Sequence, residues 1–258
     1  MTEQTGTGSA GDADYGTIGA GYRDYRRPDP RIARAIGAAL GDADTVVNVG
    51  AGAGSYESPD LRVTPVEPAA AMRAQRPAHL APAVDATAER LPFPDDAFDA
   101  ALTTFSVHQW QDVRAGLAEM RRVATGPVVV LTCDPALVRD FWLYEYAPPV
   151  LDAEARRYPP VDVIAEAVGG RVTVEPVRIP ADCVDGFNEA YYGRPEMLLE
   201  PGARRACSSW SFVEPAVADA AVARLRADLD SGAWDARHGA LRHRPEYHGS
   251  LVLIRATP

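Results

Sequence analysis

The sequence predicts an α/β fold built around a mostly parallel sheet. Short apolar runs, rich in β-branched residues, recur along the chain and suit strands that are buried on both faces of a sheet. Segments with apolar residues at helical spacing lie between several of these runs, which is the alternation typical of parallel sheets. A glycine-rich turn after the first run adds a candidate ligand site. The predicted strands span residues 45–49, 63–67, 83–86, 100–105, 127–132, 171–179 and 250–256.

The first predicted strand leads directly into three glycines at alternate positions, Gly50, Gly52 and Gly54. Glycine lets the backbone bend sharply and approach a ligand closely. A tight turn that binds nothing is the alternative, because a lone glycine-rich turn is weakly specific. Glu67 strengthens the ligand hypothesis, since a carboxylate at the end of the second strand of a nucleotide-binding unit is placed to accept ribose hydroxyls.

Only Ser55 to Arg62 separates the glycine turn from the second strand, and Pro59 interrupts that stretch. A parallel crossover normally takes a dozen or more residues and includes a helix. We therefore expect the helix after the glycine turn to be reduced to about one turn. Another helix is predicted before the first strand. Asp29 and Pro30 are suited to begin it, and Gly41 is suited to end it.

Three groups of residues together resemble the class I S-adenosylmethionine-dependent methyltransferases, most closely the branch that methylates quinones and other small molecules. They are the run 48–54, Glu67-Pro68 followed by Met72, and Leu91-Pro92-Phe93 before Phe98-Asp99. The resemblance covers roughly residues 20–135. It implies a Rossmann-like, seven-stranded sheet whose last strand, 250–256, inserts antiparallel between the fifth and sixth strands. It also implies methyl transfer from S-adenosyl-L-methionine to an O, N or C nucleophile of a small-molecule metabolite, with S-adenosylhomocysteine as product.

The resemblance further implies which residues hold the cofactor. Arg26 would bind the amino-acid carboxylate of the cofactor. Tyr22 and Tyr25 would be aromatic residues of a segment that folds over the cofactor. The side chain of either Thr87 or Asp85 would form a hydrogen bond with the adenine amine. The family usually has an acid where this chain has Asn48, whose amide can still bond the methionine amine but carries no charge. The full set is Tyr25, Arg26, Asn48, Gly50, Gly52, Gly54, Glu67, Met72, Thr87, Ala88 and Phe105.

His108 follows the strand 100–105, and ligands of open α/β sheets bind outside the carboxyl ends of the strands. An imidazole there could take a proton from a hydroxyl or amine nucleophile. Packing and hydrogen bonding at the floor of the cleft is a competing role that the sequence favours at least as much. His108 is therefore the candidate catalytic residue, with this alternative open.

The chain is interpreted as one methyltransferase domain over residues 15–258, preceded by a disordered segment, 1–14, that lacks apolar periodicity. Residues 180–247 form an insertion too long for a hairpin loop, and they include a predicted helix over Ala216 to Leu229. We expect this insertion to be a helical lid over the substrate. A purely structural cap on the sheet is the competing interpretation.

The net charge of −10 argues against nucleic acid and against anionic membranes as partners. The three cysteines, Cys133, Cys183 and Cys207, have neither a disulfide pattern nor a zinc spacing, so no metal is expected. Neither a signal peptide nor a membrane span is visible, which indicates a cytoplasmic enzyme. A small-molecule acceptor is the expected partner, and the protein is expected to be a monomer or a homodimer.

Two other functions share features with this sequence. A nicotinamide dehydrogenase shares the glycine-rich turn and the ribose acid, but its fingerprint requires a different glycine spacing and a full helix after the turn. The chain has Ser55 and a short crossover instead. A protein with the methyltransferase fold that binds S-adenosylmethionine but acts as a cyclase or a non-catalytic binder remains the alternative.

Overall fold

The computed structural model describes residues 22–258. The expectations for residues 1–14 and for the Tyr22 side chain therefore lie outside the part of the chain that the structure describes. Six strands form the main sheet in the order β2-β1-β3-β4-β8-β5, and two short strands, β6 and β7, pair separately. The strands are β1 Thr45–Val49, β2 Arg62–Val66, β3 Ala100–Thr104, β4 Val128–Cys133, β5 Arg171–Pro176, β6 Ile179–Pro180, β7 Glu246–Tyr247 and β8 Leu251–Thr257.

The strand directions confirm the predicted α/β fold. Strand β1 runs parallel to β2 and β3, and β3 runs parallel to β4. Strand β8 is antiparallel to both β4 and β5 and lies between them, as expected for the last strand. Strands β1 and β4 are buried almost throughout, which agrees with their continuous apolar sequences.

The main sheet has six strands in the described residues, so the predicted count of seven is wrong. The segment 83–86 makes one parallel bridge, between Val84 and Val66, and does not continue as a strand. Pro82 lies two residues before Val84 and has no backbone N–H to donate. The exposed Asp85 follows Val84, so the segment lacks the run of apolar residues that would bury a strand here.

Helices cover both faces of the sheet. Helix α2 begins as predicted, because the Asp29 carboxylate accepts a hydrogen bond from the Arg31 N–H (2.9 Å), and it ends at Gly41, whose φ is +67°. One core layer includes Ile32 and Ile36 of α2, and the opposite layer includes Leu117 and Ile164. The helices are α1 Tyr22–Tyr25, α2 Pro30–Leu40, α3 Ala70–Ala74, α4 Val113–Val123, α5 Pro148–Arg157, α6 Val161–Val168, α7 Pro201–Arg205, α8 Pro215–Ser231 and α9 Ala233–His238.

The crossover from β1 to β2 consists of turns and contains no helix, so the expected single helical turn is absent from residues 50–61. Gly50, Gly52 and Gly54 have φ values of +70°, +52° and +96°, and Tyr56 has +63°. Left-handed backbone at four positions in this stretch is incompatible with a right-handed helix. The glycine turn therefore exposes backbone groups to its surroundings, and no helix follows it before β2.

The insertion over 180–247 is largely helical and packs onto the segment that follows β4. The predicted helix in this region is α8, which buries Ala221 and Leu225. Trp234 of α9 is fully buried, and its ring meets that of Trp142 edge-on with centroids 5.3 Å apart. Short 3₁₀ helices fill the remainder of the structure at Val107–Gln109, Val138–Asp140, Trp142–Glu145, Asn188–Tyr191, Pro195–Leu199, Ser208–Phe212 and Gly239–His243.

None of the helices in residues 22–258 combines the length and the apolar character needed to cross a bilayer.

Candidate active site

A cavity lies at the carboxyl ends of β1, β2 and β3, where the glycine turn, the segment after β2 and the segment after β3 meet. This is the edge of the sheet at which ligands of open α/β folds bind. Several of the residues singled out from the sequence line this first cavity. They are Arg26, Gly50, Gly52, Glu67, Met72, Ala88 and Phe105.

Four of the other residues expected at this site are not among those that line the first cavity: Tyr25, Asn48, Gly54 and Thr87. The Tyr25 ring packs against Gly202, where an added Cβ would come within 2.4 Å of it. Gly54 likewise makes room for Leu80, since a Cβ there would lie 2.3 Å from Leu80 Cδ1. Both residues thus support packing beside the cavity.

Gly50 permits a close contact between the turn and the segment after β3. A Cβ at Gly50 would lie 1.7 Å from Ser106 Oγ, so no larger residue fits without movement. Ser106 Oγ in turn accepts a hydrogen bond from Trp110 Nε1 (2.9 Å). The glycine therefore allows Ser106 and Trp110 to form the wall of the cavity opposite the turn.

Glu67 is held in a fixed orientation at the first cavity. Its Oε2 accepts from the Gly52 N–H and its Oε1 from the Ala69 N–H, both at 2.8 Å. The residue is 7% exposed, and this burial raises the pKa of its carboxyl group, while the two backbone hydrogen bonds oppose the rise. Each oxygen retains acceptor capacity toward the cavity.

Asn48 is connected to the glycine turn through Glu57 and Arg76. Its Nδ2 donates to Glu57 Oε1 (3.1 Å), and Glu57 forms an ion pair with Arg76 (2.7 Å) whose two side chains are 2% and 4% exposed. Arg76 also donates to the Gly52 carbonyl (3.3 Å). An amide suits position 48 because a carboxylate there would face the buried carboxylate of Glu57.

Asn48→Asp is expected to lower the free energy of unfolding by about 1–3 kcal/mol, because it replaces a donated hydrogen bond with repulsion between two buried carboxylates. Urea unfolding at pH 7 measures the change. The repulsion raises the pKa of the introduced carboxyl group, so the loss should diminish as the pH falls through that value. A variant as stable as the wild type at pH 7 would show that Glu57 does not restrict position 48.

Arg26 and Asp185 join the N-terminal segment to the insertion. Arg26 Nε donates to Asp185 Oδ1 (2.5 Å), and the Tyr56 hydroxyl donates to Asp185 Oδ2 (2.8 Å). The Arg26 guanidinium carbon lies 5.0 Å from the centroid of the Phe105 ring. Burial and the Asp185 carboxylate raise the pKa of Tyr56, so its hydroxyl remains a donor. Asp185 orients Arg26 at the edge of the first cavity.

A second cavity adjoins the first, and Arg26 and Phe105 line both. Its remaining walls come from separate parts of the chain: the segment after β3, the end of β4, α5 with the residue that follows it, and the insertion. Phe105 has a φ of +50°, an uncommon backbone conformation for a bulky residue, which aims its ring between the two cavities. The polar residues of the second cavity include His108, Glu154, Arg157 and Asn188.

His108 lines the second cavity and not the first. Its ring packs against that of Tyr158 with centroids 4.5 Å apart. Its Nδ1 is buried without a hydrogen-bond partner among residues 22–258. Burial, followed by the charges of Arg157 and Arg26, lowers the pKa of His108 well below 6.5, so the imidazole is neutral at pH 7.

Gln109 and Trp110 line the first cavity. The sequence places the segment 106–110 between cofactor and substrate but gives neither residue an individual role. Both amide atoms of Gln109, Nε2 and Oε1, are buried and have no hydrogen-bond partner within the described part of the chain. Buried polar groups normally find partners, so this amide fits a ligand that both donates and accepts. The position of both residues just after β3 was the available signal, but it does not distinguish lining residues from supporting ones.

Comparison with known proteins identifies relatives. A family model described as a methyltransferase domain matches residues 47–127. A protein of Anabaena variabilis ATCC 29413, described as a methyltransferase from an antibiotic biosynthesis pathway, is 30% identical in sequence. Its solved structure superposes with a TM-score of 0.84 over 91% of this chain and 99% of that one.

Two further similarities are more limited. A Thermotoga maritima structure described as a SAM-dependent methyltransferase is 17% identical, with a TM-score of 0.53 over 94% of this chain and 93% of that one, and it supports the fold alone. The uncharacterized protein YafE of Escherichia coli K12 is 43% identical over 60 residues, which are 22% of this chain and 29% of that protein. The chain therefore matches less than a third of the length of this curated relative.

Proposed function

The chain belongs to the class I S-adenosylmethionine-dependent methyltransferases, and on this premise we propose that it methylates an O, N or C nucleophile of a small-molecule metabolite in the cytoplasm. S-Adenosylmethionine is the cofactor, and S-adenosylhomocysteine would be the product. The observation that carries the proposal is the pair of adjoining cavities that meet at Arg26 and Phe105. One cavity suits the cofactor and the other suits the acceptor.

The residues of the first cavity fit the cofactor. The fixed carboxylate of Glu67 has acceptor capacity for ribose hydroxyls, and the unbonded amide of Gln109 offers a donor and an acceptor. Gly50 and Gly52 let backbone approach the bound molecule. Arg26, oriented by Asp185, would meet a carboxylate at the edge of the cavity that borders the acceptor. When bound, the cofactor supplies a methyl group on a positively charged sulfur.

The walls of the second cavity favour a small acceptor. They come from five parts of the chain, including Phe187 and Asn188 of the insertion over 180–247. We interpret this insertion as a lid, because its residues close the acceptor side of the site. Aligning the acceptor with the cofactor and excluding water are the contributions that such an enclosure makes to methyl transfer.

The net charge of −10 disfavours nucleic acid as the acceptor. The protein would act as a monomer or a homodimer.

His108 would accept the proton that the nucleophile loses. The imidazole is neutral at pH 7 because its pKa is lowered, so it is in the form that a general base requires. It lines the acceptor cavity, where a nucleophile would be placed. The ring contact with Tyr158 would keep the imidazole in position.

His108→Gln is expected to lower kcat by about 100-fold or more if the imidazole acts as the base, with the affinity for S-adenosylmethionine unchanged. Rates of S-adenosylhomocysteine release and calorimetric binding measure the two quantities. For the wild type, kcat/KM should persist as the pH falls through 6.5, because the lowered pKa delays protonation. A kcat within about threefold of wild type would leave His108 only its packing role.

The proposed function is tested with purified protein, S-adenosylmethionine labelled in its methyl group, and a fractionated small-molecule extract. We expect the label to enter a small molecule, with one S-adenosylhomocysteine formed for each methyl group transferred. Label in protein or RNA would contradict a small-molecule acceptor. Cofactor binding without formation of S-adenosylhomocysteine in any fraction would contradict methyl transfer itself.

A further inference from the structure

A buried hydrogen-bond network in the insertion ends at a carboxylate in the second cavity. Trp210 Nε1 donates to Asn188 Oδ1 (3.0 Å). An indole N–H can only donate, so this contact fixes which end of the Asn188 amide is the oxygen. The Asn188 Nδ2 group therefore donates, and it reaches Glu154 Oε2 at 2.6 Å and Ser209 Oγ at 3.1 Å. Asn188 and Ser209 are 3% and 2% exposed.

Ser209 directs a second donor to the same carboxylate oxygen. Its hydroxyl receives a hydrogen bond from Asn188 and donates to Glu154 Oε2 (3.1 Å). Glu154 Oε1 makes no hydrogen bond to any of the described residues, and Glu154 lines the second cavity. The network thus occupies one oxygen of Glu154 with two donors and leaves the other oxygen to a bound acceptor.

The network favours the ionised carboxylate, because donors aimed at an oxygen stabilise its negative charge. Burial of Glu154 opposes this and raises the pKa of its carboxyl group. The charges of the two arginines that line the same cavity also favour the ionised form of Glu154 and lower its pKa. Their hydrogen bonds and ring contacts include other groups: Arg26 pairs with Asp185, while Arg157 donates to Ser208 Oγ (3.0 Å) and lies 4.3 Å from the Phe212 ring centroid. A positively charged donor in the cavity would therefore form a charge-assisted hydrogen bond with Glu154.

We propose that Glu154 Oε1 binds an amino group of the acceptor, so that the substrate is a small molecule carrying an amine. Phe105 and Phe187 line the same cavity and would contact the apolar part of such a molecule. The inference rests on the proposed function, since it assigns the second cavity to the acceptor. It identifies the group by which the acceptor is bound. The methylated atom can be this amine or another atom of the acceptor.

Glu154→Gln offers a sharp test. The carbonyl oxygen of glutamine can accept from both Asn188 and Ser209, so the buried network is retained. The amide NH₂ then replaces Oε1 at the cavity, which changes the exposed atom from an acceptor to a donor. Glu189→Gln is the matched control, because Glu189 is also buried but bonds to the Ser250 N–H and does not line the cavity.

The probes are benzylamine, benzyl alcohol and benzoate, and their binding to protein saturated with S-adenosylhomocysteine is measured by ligand-observed NMR. We expect wild type to bind benzylamine most tightly. Glu154→Gln should weaken that binding on the order of 10- to 100-fold and improve binding of benzoate. Glu189→Gln, whose carboxyl group interacts with that of Glu154 only through its charge, should change either affinity by no more than about threefold.

Two results would overturn the inference: benzylamine binding no more tightly than benzyl alcohol, including no binding of either, or equal benzylamine affinity in wild type and Glu154→Gln. Melting temperatures and S-adenosylhomocysteine affinities from the same samples show whether each variant is folded. Failure of S-adenosylhomocysteine to bind would count against the proposed function, and the three probes would then be compared on the unliganded protein. The two failures are therefore distinguishable.

Discussion

Glu67→Ala is expected to weaken binding of S-adenosylmethionine by at least about 100-fold. The carboxylate lies 2.8 Å from the N–H groups of Gly52 and Ala69, so it both shapes the glycine turn and faces the first cavity. Alanine removes the acceptor for the ribose hydroxyls and also leaves these two N–H groups without their partner. Each hydrogen bond to a charged group contributes about 1.5–3 kcal/mol, and the losses act in the same direction.

Isothermal titration calorimetry with S-adenosylmethionine and S-adenosylhomocysteine measures this effect. Glu67→Gln is the graded control, because its single carbonyl oxygen retains part of the acceptor capacity and should give an intermediate loss. Melting temperatures without ligand separate a binding defect from unfolding. Affinity in a folded Glu67→Ala protein within about threefold of wild type would remove Glu67 from the cofactor site.

Gly50→Ala is expected to lower the free energy of unfolding by about 2–5 kcal/mol and to abolish measurable cofactor binding. Two costs add at this position. The φ of +70° disfavours a residue with a Cβ, and that Cβ would lie 1.7 Å from Ser106 Oγ. The backbone must then move at the point where the turn meets the segment after β3.

Urea unfolding measures the stability change, and a double variant separates its two causes. Ser106→Gly removes the atoms that collide but also the hydrogen bond from Trp110, so it serves as the reference. Adding Gly50→Ala to Ser106→Gly should cost only the left-handed backbone, about 1–2 kcal/mol. Gly37→Ala is the matched control. An added Cβ there meets nothing within 4 Å in the middle of α2, so this variant should be neutral or slightly more stable. Equal stability of Gly50→Ala and Gly37→Ala would contradict the account.

Features that depend on local backbone chemistry were predictable from the sequence. Asp29 and Gly41 delimit α2 as expected, because capping is decided by a few adjacent residues. The antiparallel last strand was expected from the family resemblance and is confirmed by the pairing of β8 with β4 and β5. Gly50 was singled out for close approach of its backbone to a ligand, which stays a prediction, and the structure adds that the missing Cβ makes room for Ser106.

Features that depend on distant partners were not predictable in the same way. The role of Asn48 at the cofactor stays a prediction, and the sequence did not indicate that its amide also bonds Glu57, which pairs with Arg76 from the segment after β2. Asp185 received no role from the sequence, because its importance arises only when folding brings it to Arg26 and Tyr56. The missing strand at 83–86 shows the same limit, since the two apolar residues between Pro82 and Asp85 make only one bridge and do not sustain a ladder.

In the proposed mechanism the first cavity holds S-adenosylmethionine, and Arg26 and Phe105 separate it from the acceptor. A crystal structure of the complex with S-adenosylhomocysteine tests this most directly. We expect the ribose hydroxyls to bind the Glu67 carboxylate and the cofactor sulfur to lie at the boundary of the two cavities. S-Adenosylhomocysteine bound at another place, or in the first cavity with its ribose away from Glu67, would contradict the account.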